Sequence, residues 1–377
     1  MMRPSFAWHF SCVVCGTTIP ADHLVWQCPQ CSGELRIEGL PGQLDRPALT
    51  GHGLWRSASV LPVPAPDRGT MLGEGDTPLI SVEIDGALVH LKLDSLLPTG
   101  SFKDRGAAVL AQYLQLVGAK RIIVDSSGNA AAAMSAFAAA AGLECVVYVP
   151  ASASPGKLVQ ARAYGAAVIP VEGSRDDVAH AAQSAAASDD SASYASHNWH
   201  PVFVEGVKTW AHEVHYQLGG RQPDTVIVPT GGGSSFVGAW HGFRETGASI
   251  PRLIAAQPEA CHPIVRAWQS GTSITSMPAE TTMAEGTKIA LPSRPAQILE
   301  ALGDSDGAGV AVSEDELTSA SMLLWSMGVY VEPTAALGVA AFRIMKQQGD
   351  VEEGTTVVIH ITGNGLKSTP VIDEVLS

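Results

Sequence analysis

The sequence predicts an α/β protein: parallel sheets with helices on both faces, behind a small N-terminal module of the zinc-ribbon kind. Three observations predict it. Short β-branched runs alternate with alanine-rich periodic stretches from Leu88 to Gln347, the order expected of strands linked by crossover helices. Four cysteines stand near the start as two Cys-x-x-Cys pairs. No run of 18 apolar residues occurs, since the nearest, Ala130–Val149, is interrupted by Ser135, Gly142 and Glu144. That excludes an ordinary membrane span.

The module comes first. Cys12-Val-Val-Cys15 and Cys28-Pro-Gln-Cys31 would let four thiolates close a tetrahedron around a structural Zn2+ with no open position. Gly16 and Ser32-Gly33 follow the pairs, and small residues let backbone amides approach the sulfurs. Two disulfides are the alternative. The opening residues hold one arginine and no long apolar stretch, so no secretion signal is expected, and a reducing cytoplasm disfavours disulfides. Cys145, in an apolar strand-like run, and Cys261 read as buried bystanders. The 377 residues carry 37 acids against 23 bases, a net charge of −14 spread diffusely, which argues against nucleic acid or anionic lipid as partners.

Gly39–Gly53 reads as a linker, and the Pro62, Pro64, Pro66 segment as a second loop. Strands are predicted at Leu88–Leu93, Arg121–Val124, Cys145–Val149, Ala167–Val171, Thr225–Val228, Arg252–Ala256 and Thr355–Ile361. Helices are predicted at Asp104–Val117, Ala130–Ala141, Pro155–Tyr164, Asp176–Ala187, Gly206–Leu218, Ser235–Glu245, Glu314–Met327 and Thr334–Gln347. Ser313 and Glu316 form a capping box ahead of the penultimate helix.

Ligands of open parallel sheets bind where strand ends meet helix starts, and four junctions there carry chemistry. Gly231-Gly-Gly-Ser-Ser235 leads from a strand to a helix, where converging N–H groups suit a phosphate. It is not a dinucleotide fingerprint, because Phe236 stands where a small residue is needed, and no Gly-Lys-Ser/Thr makes it a P-loop. Lys103 opens a helix, where the macrodipole disfavours a cation and so favours the free amine of a Schiff-base or general-base lysine. A lysine paired to Asp104 on a solvated face is the bland reading of that residue alone. Asp125-Ser-Ser-Gly-Asn129 and Thr362-Gly-Asn-Gly-Leu-Lys367 are the other two junctions.

Taken together, the segment from Leu54 to Lys367 resembles the threonine synthase family of pyridoxal-phosphate enzymes, of the tryptophan-synthase-β structural class. Gly73-Glu-Gly-Asp-Thr-Pro-Leu79, Gly100-Ser-Phe-Lys-Asp-Arg-Gly106, Ser126-Ser-Gly-Asn129, Glu205-Gly-Val-Lys-Thr209, Glu332-Pro-Thr-Ala335 and Thr362–Lys367 carry the resemblance, in order. Many members also have a cysteine-rich N-terminal module. The resemblance implies two lobes with doubly wound parallel sheets, the smaller over roughly 94–205 and the larger over the remainder of 46–377, with the module in 1–45. It implies pyridoxal 5'-phosphate on Lys103, Asn129 at the cofactor's 3′-oxygen, Gly231, Gly232, Gly233, Ser234 and Ser235 at its phosphate, and Thr362 at the pyridine nitrogen. A cytoplasmic homodimer acting on a small amino acid, O-phosphohomoserine, completes the expectation, with Ser126, Ser127 and Phe203 at the substrate. Phe203 falls where the family has an arginine for the substrate phosphate, and His197-Asn198 replace Asn-Ser. His200, Lys208 or Arg105 could supply the missing charge. The alternative is a paralogue doing β-elimination from serine or threonine, or a β- or γ-replacement on another amino acid.

Overall fold

The computed structural model describes residues 6–44 and 51–377, so the predicted linker Gly39–Gly53 lies partly outside the described residues. Thirteen strands are found among the described residues. They are β1 (His9–Cys12), β2 (Thr18–Pro20), β3 (Leu35–Glu38), β4 (Leu79–Ile84), β5 (Ala87–Leu93), β6 (Arg121–Val124), β7 (Glu144–Pro150), β8 (Ala167–Val171), β9 (Ala192–Tyr194), β10 (Thr225–Pro229), β11 (Arg252–Pro258), β12 (Ala308–Val312) and β13 (Val357–Ile361). The chain folds as two compact units, Met1–Gly75 with Lys103–Val207, and Asp76–Phe102 with Lys208–Ser377.

The first unit holds two sheets. β2, β1 and β3 form a three-stranded antiparallel sheet carrying the cysteine pairs. A parallel sheet of order β8-β7-β6-β9 forms the other, flanked by α1 (Lys103–Leu116), α2 (Asn129–Ala140), α3 (Pro155–Ala163), α4 (Arg175–Ala187) and α5 (Pro201–Val207). β6 is Arg-Ile-Ile-Val with three of its four residues buried, as befits a strand covered on both faces. Eight of the twelve residues of α2 are alanine and most of its length is buried, so it can approach its neighbours closely. α1 and α5 touch at two glycines. A Cβ at Gly106 would lie 2.5 Å from the Phe203 ring, and a Cβ at Gly206 would overlap the carbonyl of Arg105.

The second unit is built on a six-stranded sheet, order β12-β11-β10-β13-β5-β4. Its helices are α6 (Thr209–Gln217), α7 (Ser234–Glu245), α8 (Pro263–Ser270), α9 (Pro295–Asp304), α10 (Glu314–Ser326), α11 (Pro333–Gln348) and α12 (Thr369–Leu376). The central strands β10 and β13 are buried at every position. α11 packs Leu337, Val339 and Phe342 into the main core.

This six-stranded sheet is parallel except at one edge, where β4 runs antiparallel to β5. Asp85 and Gly86 both take positive φ, 49° and 76°, in the two-residue turn between them, a geometry whose twist matches a hairpin. The single helix predicted at Gly206–Leu218 is instead two, α5 and α6, meeting at Lys208. There Ala211 bonds back only three residues, to Lys208, and α5 starts earlier than predicted, at Pro201. Among the described residues no helix is long and apolar enough to cross a membrane.

Candidate active site

In the first unit, the C-terminal edge of the parallel sheet gathers the reactive groups. Lys103 is the first residue of α1, half-buried, its Nζ 5.9 Å from the centre of the Phe203 ring. β6 ends at Val124, and Asp125, Ser126, Ser127 and Gly128 lead from it into α2, whose first residue is Asn129. Ser126 Oγ accepts from the Gly128 amide at 3.3 Å, which fixes the turn. His197 follows β9, and its ring stands 6.1 Å from that of Phe203. Loss of solvent, then the charges of Lys103 and Arg175, hold the His197 imidazole well below its usual range, so it is neutral. Its Nδ1 is buried without a hydrogen-bond partner.

Phe203 is fully buried, packed on Gly106. His200 is fully buried too, but among Phe10 and Tyr113, with its Nδ1 accepting from the Val202 amide. In the second unit, Lys208 Nζ is held by Glu245 at 2.6 Å, inside the protein. These two of the three cations named from sequence are therefore committed to structure. The sequence reading did not single out Arg175, which leads α4 and donates to Asp125 at 2.7 Å.

The second unit brings together the glycine loop and the Thr362 strand end. α7 begins at Ser234, after Gly233 in the left-handed region at φ 93°. A Cβ at Gly233 would lie 2.5 Å from Ile298, and one at Gly231 would lie 2.8 Å from the Cα of Thr287, so the run is glycine for both handedness and room. Ser235 Oγ and His360 Nδ1 are hydrogen-bonded at 2.9 Å, and His360 Nε2 meets Asp94 Oδ2 at 3.0 Å. Trp210 stacks on the His360 ring at 4.2 Å. This buried chain behind the loop also went unnoticed in the sequence, since its members are 125 and 266 residues apart. Thr362 follows β13 and is clamped by the Phe102 amide, which bonds its carbonyl at 3.0 Å. The Thr362 hydroxyl is buried without a partner.

A family profile described as pyridoxal-phosphate dependent enzyme matches residues 70–363, most of the chain. The chain belongs to this family. Within it, the threonine synthase of Methanocaldococcus jannaschii is 32% identical, covering 94% of this chain and 92% of its own. The threonine synthase of Halalkalibacterium halodurans is 34% identical over 78% of this chain and 84% of its own. A solved fungal L-serine ammonia-lyase from Rhizomucor miehei superposes with a TM-score of 0.71, covering 80% of this chain and 97% of its own, at 22% identity. That last likeness concerns the fold, and it agrees with the α/β architecture read from the sequence. This pyridoxal-phosphate enzyme thus has threonine synthases among its relatives.

Apart from these groups, the Sγ atoms of Cys12, Cys15, Cys28 and Cys31 lie within 4.8 Å of one another. Hydrogen bonds from Thr17 draw the Cys15 thiol down to about 6, so it is a thiolate near neutrality. Burial pushes the Cys145 thiol up to about 11 and raises that of Cys261, in keeping with two inert side chains.

Proposed function

We propose that the chain is a threonine synthase, converting O-phosphohomoserine and water to threonine and phosphate with pyridoxal phosphate held on Lys103. The observation that carries this reading is the extent of the likeness, 94% of this chain against 92% of a curated threonine synthase, with Lys103 at the start of α1 and Asn129 at the start of α2. The residues present fit the cofactor. A glycine-lined helix start suits its phosphate, and the partnerless buried hydroxyl of Thr362 suits its ring nitrogen.

In this reading Gly231, Gly232, Gly233, Ser234 and Ser235 bind the 5′-phosphate through backbone N–H groups and the serine hydroxyls. Asn129 orients the ring at its 3′-oxygen. Thr362 offers the ring nitrogen a neutral hydroxyl, which leaves its electron demand moderate. When bound, the cofactor supplies an electron sink for the carbanion at Cα. Lys103 Nζ takes and returns the Cα proton. The Cγ–O bond breaks with its electron pair leaving on phosphate. Cβ gives up one proton and Cγ gains one to become a methyl, and water adds its OH to Cβ and its remaining proton to the phosphate. Ser126 and Ser127 line the substrate side of the Asn129 turn. Neutral His197 and apolar Phe203 keep the neighbourhood of Lys103 dry, which favours its amine.

A Zn2+ held by Cys12, Cys15, Cys28 and Cys31 belongs to the same reading, supported by the four clustered thiols. It is structural, since all four positions are filled by protein. A cytoplasmic homodimer rests on the family resemblance alone. Product analysis tests the function: the purified enzyme should release threonine and phosphate from O-phosphohomoserine. Turnover of serine or threonine to ammonia instead, favoured by the apolar Phe203 beside Lys103, would establish the β-elimination alternative.

A further inference from the structure

An enzyme that expels phosphate next to Lys103 needs a cation for the leaving group, and Phe203 is not one. We infer that Arg175 recognises the substrate's phosphate and so determines specificity for a phosphorylated amino acid. The inference rests on the proposed O-phosphohomoserine reaction.

Four observations converge on it. First, β6, β8 and β9 are parallel members of one sheet, so the segments after them open on the same edge. Asp125 to Asn129 follows β6, Arg175 follows β8 after a short turn, and His197 follows β9. Second, Arg175 uses one of its five N–H donors, on Asp125 Oδ2 at 2.7 Å. Asp125 is 5% exposed and Arg175 52%, so the carboxylate sits behind the guanidinium and aims it, leaving the outer donors for a ligand. A fork with two adjacent N–H groups is the best match for a phosphate. Third, the His197 imidazole feels the positive charges of both Lys103 and Arg175, so the two cations share its neighbourhood. The Cα and phosphorus of O-phosphohomoserine are four bonds apart, roughly 5 Å when extended, so a phosphate grip for a Cα at Lys103 must lie in that neighbourhood. Fourth, the His197 Nδ1 is buried and lacks a partner. A substrate oxygen or a water carried with it would satisfy that atom.

The charge also solves a problem of selectivity. A dianion entering beside an apolar Phe203 loses water without compensation unless a cation receives it. A guanidinium preset by Asp125 receives it with little rearrangement. A neutral amino acid gains nothing from the same group.

The test uses the holoenzyme and inorganic phosphate as probe. Isothermal titration should give a phosphate Kd about 10- to 100-fold weaker for Arg175→Gln than for the wild type, the loss of a charge-assisted contact. Arg175→Lys should recover part of it. With O-phosphohomoserine, Arg175→Gln should raise KM more than it lowers kcat, while the cofactor absorbance band and Tm stay at wild-type values. A purely structural Arg175 would move Tm and leave phosphate affinity alone. An unchanged phosphate Kd in Arg175→Gln, or no phosphate binding by the wild-type holoenzyme, overturns the inference. If the wild type binds phosphate through Arg175 yet makes no threonine from O-phosphohomoserine, the reaction proposed above fails and the anion site stands.

Discussion

Replacing Gly206 by alanine probes the contact that seats the lysine-bearing helix. On α5, the added methyl would overlap the Arg105 carbonyl and stand 2.9 Å from the Cα of Gly106, both in the first turn of α1. Carbon atoms pack at about 3.5–4.0 Å, so the two helices must part by about 1 Å. The obstacle is backbone on both sides, so no side-chain rotation relieves it. Alanine recovers about 1 kcal/mol of helix propensity over glycine. Overpacking costs about 1–3 kcal/mol in ordinary cores and more against backbone. The net effect should be a destabilisation of about 1–2 kcal/mol. Arg105 is two residues from Lys103, so the shift reaches the reactive amine, and a 1 Å error in placement costs about 100-fold in rate. Urea unfolding, the cofactor absorbance band and kcat/KM should be measured on the same preparations. A Gly206→Ala protein with wild-type stability and wild-type kcat/KM would refute the argument that this crossing sets Lys103.

Three further outcomes are expected. Lys103→Ala should abolish turnover and the covalent cofactor band near 410–420 nm, while cofactor can still be retained by the glycine loop; any substantial residual turnover would remove Lys103 from the mechanism. Replacing Cys12 and Cys28 together by serine should release one zinc per chain, read by elemental analysis, and lower Tm while the cofactor band persists; native protein without zinc would dismiss the metal assignment. With its thiol raised to about 11 from 9.0, Cys145 should carry about 100-fold less thiolate at pH 8 than an ordinary cysteine, and reaction with a thiol reagent should stay correspondingly slow until the pH nears 11 or the protein unfolds.

Much of the fold was legible where local signals were strong. The predicted α4, α7, α10 and α11 end within one or two residues of the observed ones, because Ser174, Gly233, Ser313 and Pro333 mark their starts by capping or fixed φ. β9 has three residues and β12 is Ala-Gly-Val-Ala-Val, too short or too weakly apolar to stand out. The Asp85-Gly86 hairpin did carry a signal, an Asp-Gly step between alternating apolar residues, and the reading of β5 without β4 overlooked it. α8, α9 and α12 are brief, though each has a proline in its first turn. For the proposed site, strand-to-helix junctions drew attention to Lys103, Asn129, the glycine loop and Thr362, since each sits in a distinctive string. Arg175 and His360 are single residues in unremarkable strings. Their significance lies in Asp125, 50 residues away, and Ser235, 125 away, and no local pattern encodes such a pairing.

One contact of the cysteine module changes how the chain can be divided. Tyr113, on the helix that Lys103 begins, donates its hydroxyl to the carbonyls of Ala21 and His23 at 2.9 Å each. Its ring meets Trp8 and Phe10 of the module, and Phe10 meets His200. The family profile starts at residue 70, which invites cutting there. A chain trimmed to that boundary would bare Tyr113 and His200, both now fully buried, and orphan a phenol. Uncovering two such aromatic side chains forfeits about 3–6 kcal/mol, comparable to the whole stability of many domains. The edge of the family profile is therefore not an edge of folding here. The module is a shared wall, and an enzyme shortened at that wall should be recovered as aggregate rather than as a smaller catalyst.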